Sequence, residues 1–276
     1  MRLAAALNLL KAWLLTALFA AALGGLGWTA GRDVRTTSLF VFCALLTALA
    51  VYAYADRALL GMLGAREYLP VENPLLRSTV DRLAARAGVV PPKLYLIADG
   101  FPRALSAGRG PTSSAIAVST GLLGALSPAE LEGVLAHELA HIRRRDVLVQ
   151  TFAVMIAVIL IELSRLGGWF ERALLFVLGP VAAAFVHLLL SDRRELAADR
   201  DAAELCGTPH GLADALLRLD RASELVSFEA SPATEPLYTI DPFEPEGLAR
   251  MFSTHPPLAQ RVELLRRLDP DHETGP

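Results

Sequence analysis

Apolar positions along this chain fall into long runs before they fall into periodic patterns. Twenty uncharged residues separate Lys11 from Arg32 and another twenty separate Arg35 from Asp56. At ~1.5 Å of rise per residue, each run crosses a ~30 Å hydrocarbon core, and both predict transmembrane helices, over about 12–31 and 36–55. Arg2 and Lys11 precede the first run and small residues end it, as in a secretory signal. A second full span follows almost at once, however, which predicts a retained hairpin over residues 1–56. Further on, residues 147–161 carry no charge before Glu162, and residues 173–191 carry none, with Gly179, Pro180 and His187 interrupting them. These predict a second membrane hairpin over 147–191, with spans of about 147–164 and 173–191. Its alternative is a buried helical hairpin in a soluble domain, since ~17 residues is the usual lower limit for spanning.

The hydrophilic segments carry shorter patterns. In the first, 57–146, "ENPLLRSTVDRLAARAG" has Leu75, Leu76, Val80, Leu83 and Ala84 at helical spacing, with Pro74 placed as a first-turn proline and Gly88 as a stop. Short β-type stretches follow, "KLYLI" at 93–97, "RALSA" at 103–107 and "SAIAVS" at 114–119, separated by Gly/Pro turns. They predict a small sheet. "LSPAELEGVLAHELAH" then opens with a capping box, Ser127 as N-cap, Pro128 at the first helical position and Glu130 three residues after the cap. The helix it starts is expected to run unbroken into the apolar run at Val147. In the last segment, 192–276, "SDRRELAADRDAAELCG" predicts a helix to Gly207 and "GLADALLRLDRASEL" another. The Pro-rich stretch 227–257 predicts a loop, and a final helix is expected from about Leu258 to Leu268.

Composition agrees with a membrane protein: 53% of the 276 residues are hydrophobic, mean hydropathy is +0.41 and 20% are charged. A net charge of -3, with no Lys/Arg stripe interleaved with aromatics, leaves no footprint for nucleic acid. Two cysteines, Cys43 and Cys206, exclude a disulfide framework and suggest no thiolate metal site. If all four runs span, ten Lys/Arg flank them on the side of the N-terminus and four on the other. That excess puts both termini and both hydrophilic segments in the cytoplasm.

The chemistry concentrates in "HELAH". In an HExxH helix, positions i and i+4 share a face, so His137 and His141 can direct imidazole nitrogens at one zinc ion while Glu138 lies beside them, able to take a proton from water. Such a zinc site needs a third ligand from another helix. Glu195 in "RRELAAD" is the candidate, with Asp199 one turn on as a carboxylate that accepts the second ring N–H of a ligand histidine. The spacing supports Glu195: His141 lies six residues (~9 Å) before the apolar run and Glu195 five (~8 Å) after it, so an antiparallel hairpin brings them to one height.

"HELAH", then "RRELAAD" after a hydrophobic hairpin, then "FSTHPPLAQRVELL" near the end, resembles the HtpX family of membrane-bound zinc metalloproteases, relatives of the CAAX prenyl proteases. The resemblance covers nearly the whole chain. It implies one zinc ion per chain held by His137, His141 and Glu195, Glu138 as general base, and a catalytic domain on the cytoplasmic face of the cell's inner membrane that degrades misfolded or damaged membrane proteins as part of stress-response quality control. It also sets "PRALSAGRG" where the family has an edge strand, with Arg103, Leu105 and Ser106 departing from the family's usual residues there.

The expected architecture is therefore a mainly α membrane protein, with four transmembrane helices plus a cytoplasmic α+β zincin-like domain holding a small sheet. An unfolded substrate is expected to add as a strand along Arg103, Ala104, Leu105, Ser106 and Ala107. His255 in "STHPP" is a candidate for stabilising the oxyanion, against the alternative of a turn-holding histidine beside Pro256. His187, inside an apolar run, reads as a neutral structural histidine, His210 and His272 as incidental, and Arg261 as half of a structural ion pair. Two other functions remain at this point: a non-proteolytic membrane scaffold in which zinc only ties helices together, and a narrow-specificity CAAX-type protease. Oligomeric state is not legible.

Overall fold

The two N-terminal apolar runs form helices longer than the runs themselves. In the computed structural model, which describes residues 2–69, 71–151, 153, 192–223 and 256–269, α1 spans Arg2–Gly31 and α2 spans Val34–Met62. Asp33 turns the chain between them. Its carboxylate accepts from the Thr36 N–H at 2.9 Å and from the Thr36 hydroxyl at 2.7 Å, capping α2. The seam is built on small residues: Ala44 and Ala48 are buried, and a β-carbon at Gly24 would come within 2.9 Å of the Val41 side chain. Away from the seam the hairpin is bare, with Trp13, Leu14, Leu18, Leu39, Phe42 and Leu49 all more than half exposed. Both helices are long and apolar enough to cross a membrane. The second predicted hairpin lies outside the described residues, apart from its first positions.

Beyond the hairpin, the described elements are β1 (Arg66–Glu67), α3 (Pro74–Ala87), β2 (Lys93–Ile97), β3 (Ala104–Gly110), β4 (Ser113–Ser119), α4 (Thr120–Ala125), α5 (Pro128–Arg144), α6 (Asp192–Cys206), α7 (His210–Ser223) and α8 (Leu258–Arg267). The architecture is mainly helical with a small mixed sheet. Its strand order is β1-β2-β4-β3, with β2 and β4 parallel and the other pairs antiparallel. Helix ends follow their signals. Asn73 caps α3 ahead of Pro74, Gly88 closes it at φ 67°, and the Ser127/Glu130 capping box is formed in both directions. The two-residue β1 and the one-and-a-half-turn α4 escape the sequence reading because neither is long enough to show a period.

Helix α5 is the axis of the domain. From Gly133 to Ile142 every residue is buried, which an amphipathic surface helix does not do. It packs against α3, β3, α6 and α7. The crossing with α7 is close because both sides carry glycine: a β-carbon at Gly133 would lie 2.5 Å from the Leu212 backbone, and one at Gly211 would lie 2.4 Å from the Ala129 carbonyl. Leu135, Leu139 and Ile142 of α5 join Ile116 and Val118 of the sheet and Leu212 and Leu216 of α7 in one apolar core. This core fixes the helix that carries the histidines.

One expectation fails in an informative way. The helix carrying the histidines does not continue into the apolar run but ends at Arg144, with Arg145 left-handed at φ 62° and its N–H turned back onto the His141 and Ile142 carbonyls. A new helix begins at Asp146. Arg145 lies against Gly110, where a β-carbon would meet its side chain at 3.2 Å. In an unbroken helix, Asp146 would sit roughly 140° around the axis from His141. The break swings it back to the histidine, and the consequence appears at the site below.

Candidate metal centre

Three ligand atoms converge where α5 meets α6. His137 Nε2 and His141 Nε2 are 3.1 Å apart, and each lies 3.5 Å from Glu195 Oε2. A tetrahedral ion with ~2.0–2.1 Å bonds sets its ligand atoms roughly 3.3–3.4 Å apart, so the triangle has the size such an ion requires. All three side chains are buried, and together they form the His/His/Glu cluster able to hold a metal among the described residues. The two imidazoles stand perpendicular, with centroids 4.7 Å apart.

The far side of each ligand is held by a partner. His137 Nδ1 lies 2.9 Å from Asp199 Oδ1, and His141 Nδ1 lies 3.2 Å from Asp146 Oδ2. A carboxylate at Nδ1 keeps the proton there and leaves the Nε2 lone pair for the shared point. Arg194 does the equivalent for the third ligand: its Nη2 donates to Glu195 Oε1 at 3.0 Å, leaving Oε2 to the triangle. With a metal bound, the donor set would be two neutral imidazoles and one carboxylate oxygen. That combination suits zinc and leaves a coordination position open.

Electrostatics point the same way. Burial works against a charged His141, yet the Glu195 carboxylate and the Asp146 hydrogen bond outweigh it, and its pKa is pushed up to about 10. Burial likewise opposes charge on His137, and Asp199 and Glu195 overcome it to raise the group above its ordinary value. Both shifts record one fact: the pocket is strongly negative and favours a cation, whether proton or metal.

Asp199 is in turn held by Arg261 of α8 through two hydrogen bonds, Nε to Oδ2 at 2.8 Å and Nη2 to Oδ1 at 2.7 Å. Burial would raise the pKa of Asp199, but the Arg261 charge and these bonds, together with His137, bring it down to about 2. A lowered carboxylate contributes stability that is present above its unfolded value of ~3.9 and fades as pH falls toward about 2. Arg261→Met leaves this carboxylate buried without its partner, and we expect it to lower stability by roughly 3–5 kcal/mol at pH 7. Thermal unfolding of the detergent-solubilised protein checks this; an unchanged midpoint contradicts it.

Glu138 follows His137 in the helix and is 3% exposed. The sheet brings β3 to its edge beside α5. The Ser119 N–H donates to the Arg103 carbonyl, which sets the ladder's parity, so Ala104, Ser106 and Gly108 turn their N–H and C=O away from β4. Gly108 N meets Thr151 Oγ1 there at 3.4 Å. Arg103 precedes the strand, with its guanidinium on Asp99, and Ala104, Leu105, Ser106 and Ala107 are all buried.

The structure brings His137, His141 and Glu195 together with Asp199 behind His137, buries Glu138 on the same helix, and pairs Arg261 with Asp199. His255 lies outside the described residues, as do His187 and His272. His210 is exposed, 3.5 Å from Asp269. Sequence reasoning missed Arg194 and Asp146. For Asp146 the one available signal is a carboxylate ending the "RRRD" charge run, which reads as a membrane rim unless the helix break is known.

The model of peptidase family M48 matches residues 70–269. A protease HtpX homolog of Pelotomaculum thermopropionicum is 39% identical over 280 residues, covering 95% of this chain and 99% of that protein. One from Acidiphilium cryptum is 40% identical over 278 residues, covering 95% and 96%, and one from Pyrococcus abyssi is 36% identical over 276 residues, covering 94% and 95%. Among solved structures, that of S. mikatae Ste24p matches the fold with a TM-score of 0.51 at 20% identity, covering 92% of this chain and 66% of that one. With an HExxH helix, a His/His/Glu cluster that could hold a metal and a family match over residues 70–269, the chain is a metallopeptidase and belongs to peptidase family M48.

Proposed function

We propose that this chain is a zinc-dependent endopeptidase of the membrane that cleaves misfolded or damaged membrane proteins on the cytoplasmic side. The observation that carries the zinc assignment is the triangle of His137 Nε2, His141 Nε2 and Glu195 Oε2, each ligand oriented from behind by Asp199, Asp146 or Arg194. Zinc bound there supplies a Lewis acid for the scissile carbonyl and eases the ionisation of water. Glu138 takes the proton released and delivers it to the leaving amine. His255 is the candidate donor to the oxyanion. The scaffold alternative finds less support, because a structural zinc site ordinarily fills four positions with protein ligands and has no use for a buried base beside them.

An extended substrate is expected to pair along β3, the strand at the end of the order β1-β2-β4-β3. Pairing of this kind reads backbone, so it suits unfolded chains of varied sequence better than a single prenylated terminus. The excess of Lys/Arg on the N-terminal side supports a cytoplasmic catalytic domain between two membrane hairpins, 1–56 and 147–191, with both termini inside. Stripping the detergent-purified protein with a chelator should abolish cleavage of an unfolded protein, and one equivalent of zinc should restore it. Full activity in the metal-free protein would overturn the proposal.

A further inference from the structure

Beside the metal centre stands a polar contact that the reaction does not explain. Asn8 lies on α1, one turn before Lys11 and the long apolar run, and is 8% exposed. Its amide nitrogen donates to Asp146 Oδ1 at 2.7 Å and to the Arg144 carbonyl at 3.2 Å. A buried amide is unfavourable unless it is bonded, and this one is bonded to the carboxylate that lies against His141. Asp146 therefore has its two oxygens committed in opposite directions, Oδ2 to His141 Nδ1 at 3.2 Å, with Arg144 Nε 3.5 Å away, and Oδ1 to Asn8.

We propose that Asn8 is a positioning residue of the metal centre: through Asp146 it holds His141 in its ligating orientation, so that docking of α1 completes the site. This rests on the assignment of His141 as a metal ligand. Two features suit Asn8 to the task. The Arg144 carbonyl is one of the last in α5 and lacks a partner within the helix, so the same amide ties down the break that aims Asp146 at the histidine. The amide is also neutral. It fixes the rotation of the Asp146 carboxylate without adding to the positive charge that Arg144 Nε already brings to within 3.5 Å of Oδ2, and the remaining negative charge is what makes His141 a stronger ligand. A lysine or arginine at this position would fix the geometry and weaken the field.

The consequence joins the N-terminal anchor to the chemistry: a chain whose α1 is undocked has its metal ligands but lacks the support that orients one of them. The test uses the full chain in detergent, with zinc itself as the probe, titrated against a chromogenic chelator. Asn8→Leu keeps the side chain's volume and removes the donor; Leu7→Ala, at an exposed neighbour on α1, controls for disturbance of the helix. We expect Asn8→Leu to raise the zinc Kd about tenfold, the lower end for partners behind a ligand. Leu7→Ala should leave it unchanged, and the unfolding temperatures of the zinc-free proteins should agree. Excess zinc should return kcat of Asn8→Leu to the wild-type value with KM unaltered. Equal zinc affinity in Asn8→Leu and wild type overturns the proposal, as does an affinity loss matched by Leu7→Ala or by a lower unfolding temperature without zinc. Failure of the wild-type chain to bind one zinc would overturn the ligand assignment itself, and this inference with it.

Discussion

Glu138→Gln is expected to abolish proteolysis while leaving the metal in place. The substitution keeps the length, shape and polarity of a side chain that is 3% exposed, so packing around α5 is preserved. It removes the one property the reaction needs from this residue, the ability to accept a proton and pass it on. General-base catalysis contributes ~10²–10⁴-fold, and the loss should fall in kcat at the upper part of that range, with KM for an unfolded substrate nearly unchanged. Zinc content should remain that of the wild type, because the triangle is formed by His137, His141 and Glu195. A variant that keeps its zinc and cleaves within a few-fold of wild type would remove Glu138 from the mechanism.

How much of this was legible beforehand depends on how local each signal is. The capping box at Ser127 and Glu130, the Asn73–Pro74 start and the Gly88 stop are written in three or four adjacent residues, and the structure has them where they were read. The ligand set needed one further step, matching the heights of His141 and Glu195 across an apolar hairpin. A straight helix through Arg145 is not needed for this: the chain turns left-handed there and the candidate ligands still meet. They meet because packing decides their height: Gly133 and Gly211 let α7 close on α5, the apolar core fixes both, and α6 packs against α5 beside them.

The partners behind the ligands were less accessible. Asp199 was readable from its one-turn offset from Glu195, and Arg261 as half of an ion pair whose other half could not be named. Asp146 and Asn8 were hidden for one reason: each depends on a tertiary event, the break at Arg145 and the return of α1 across 136 residues to the Arg144 carbonyl. A strand edge is likewise a property of a sheet. The run at 103–107 reads as a strand from its composition, and only the order β1-β2-β4-β3 makes it an edge.

The centre stands or falls with Glu195. This carboxylate is the proposed third ligand, and the element that brings it, α6, is separated from the histidines by the whole second apolar pair. Removing it leaves two imidazole nitrogens 3.1 Å apart with no anionic partner, and leaves Arg194 without the oxygen it now holds. Loss of a partner behind a ligand typically weakens metal binding 10–100-fold, and loss of the ligand itself should exceed that. The direct measurement is elemental analysis of zinc in the purified full chain, wild type against Glu195→Ala, after equilibration at micromolar zinc and removal of excess. The account predicts one zinc per wild-type chain, close to none in Glu195→Ala, and a folded variant in both metal states. One zinc per chain in Glu195→Ala would contradict it.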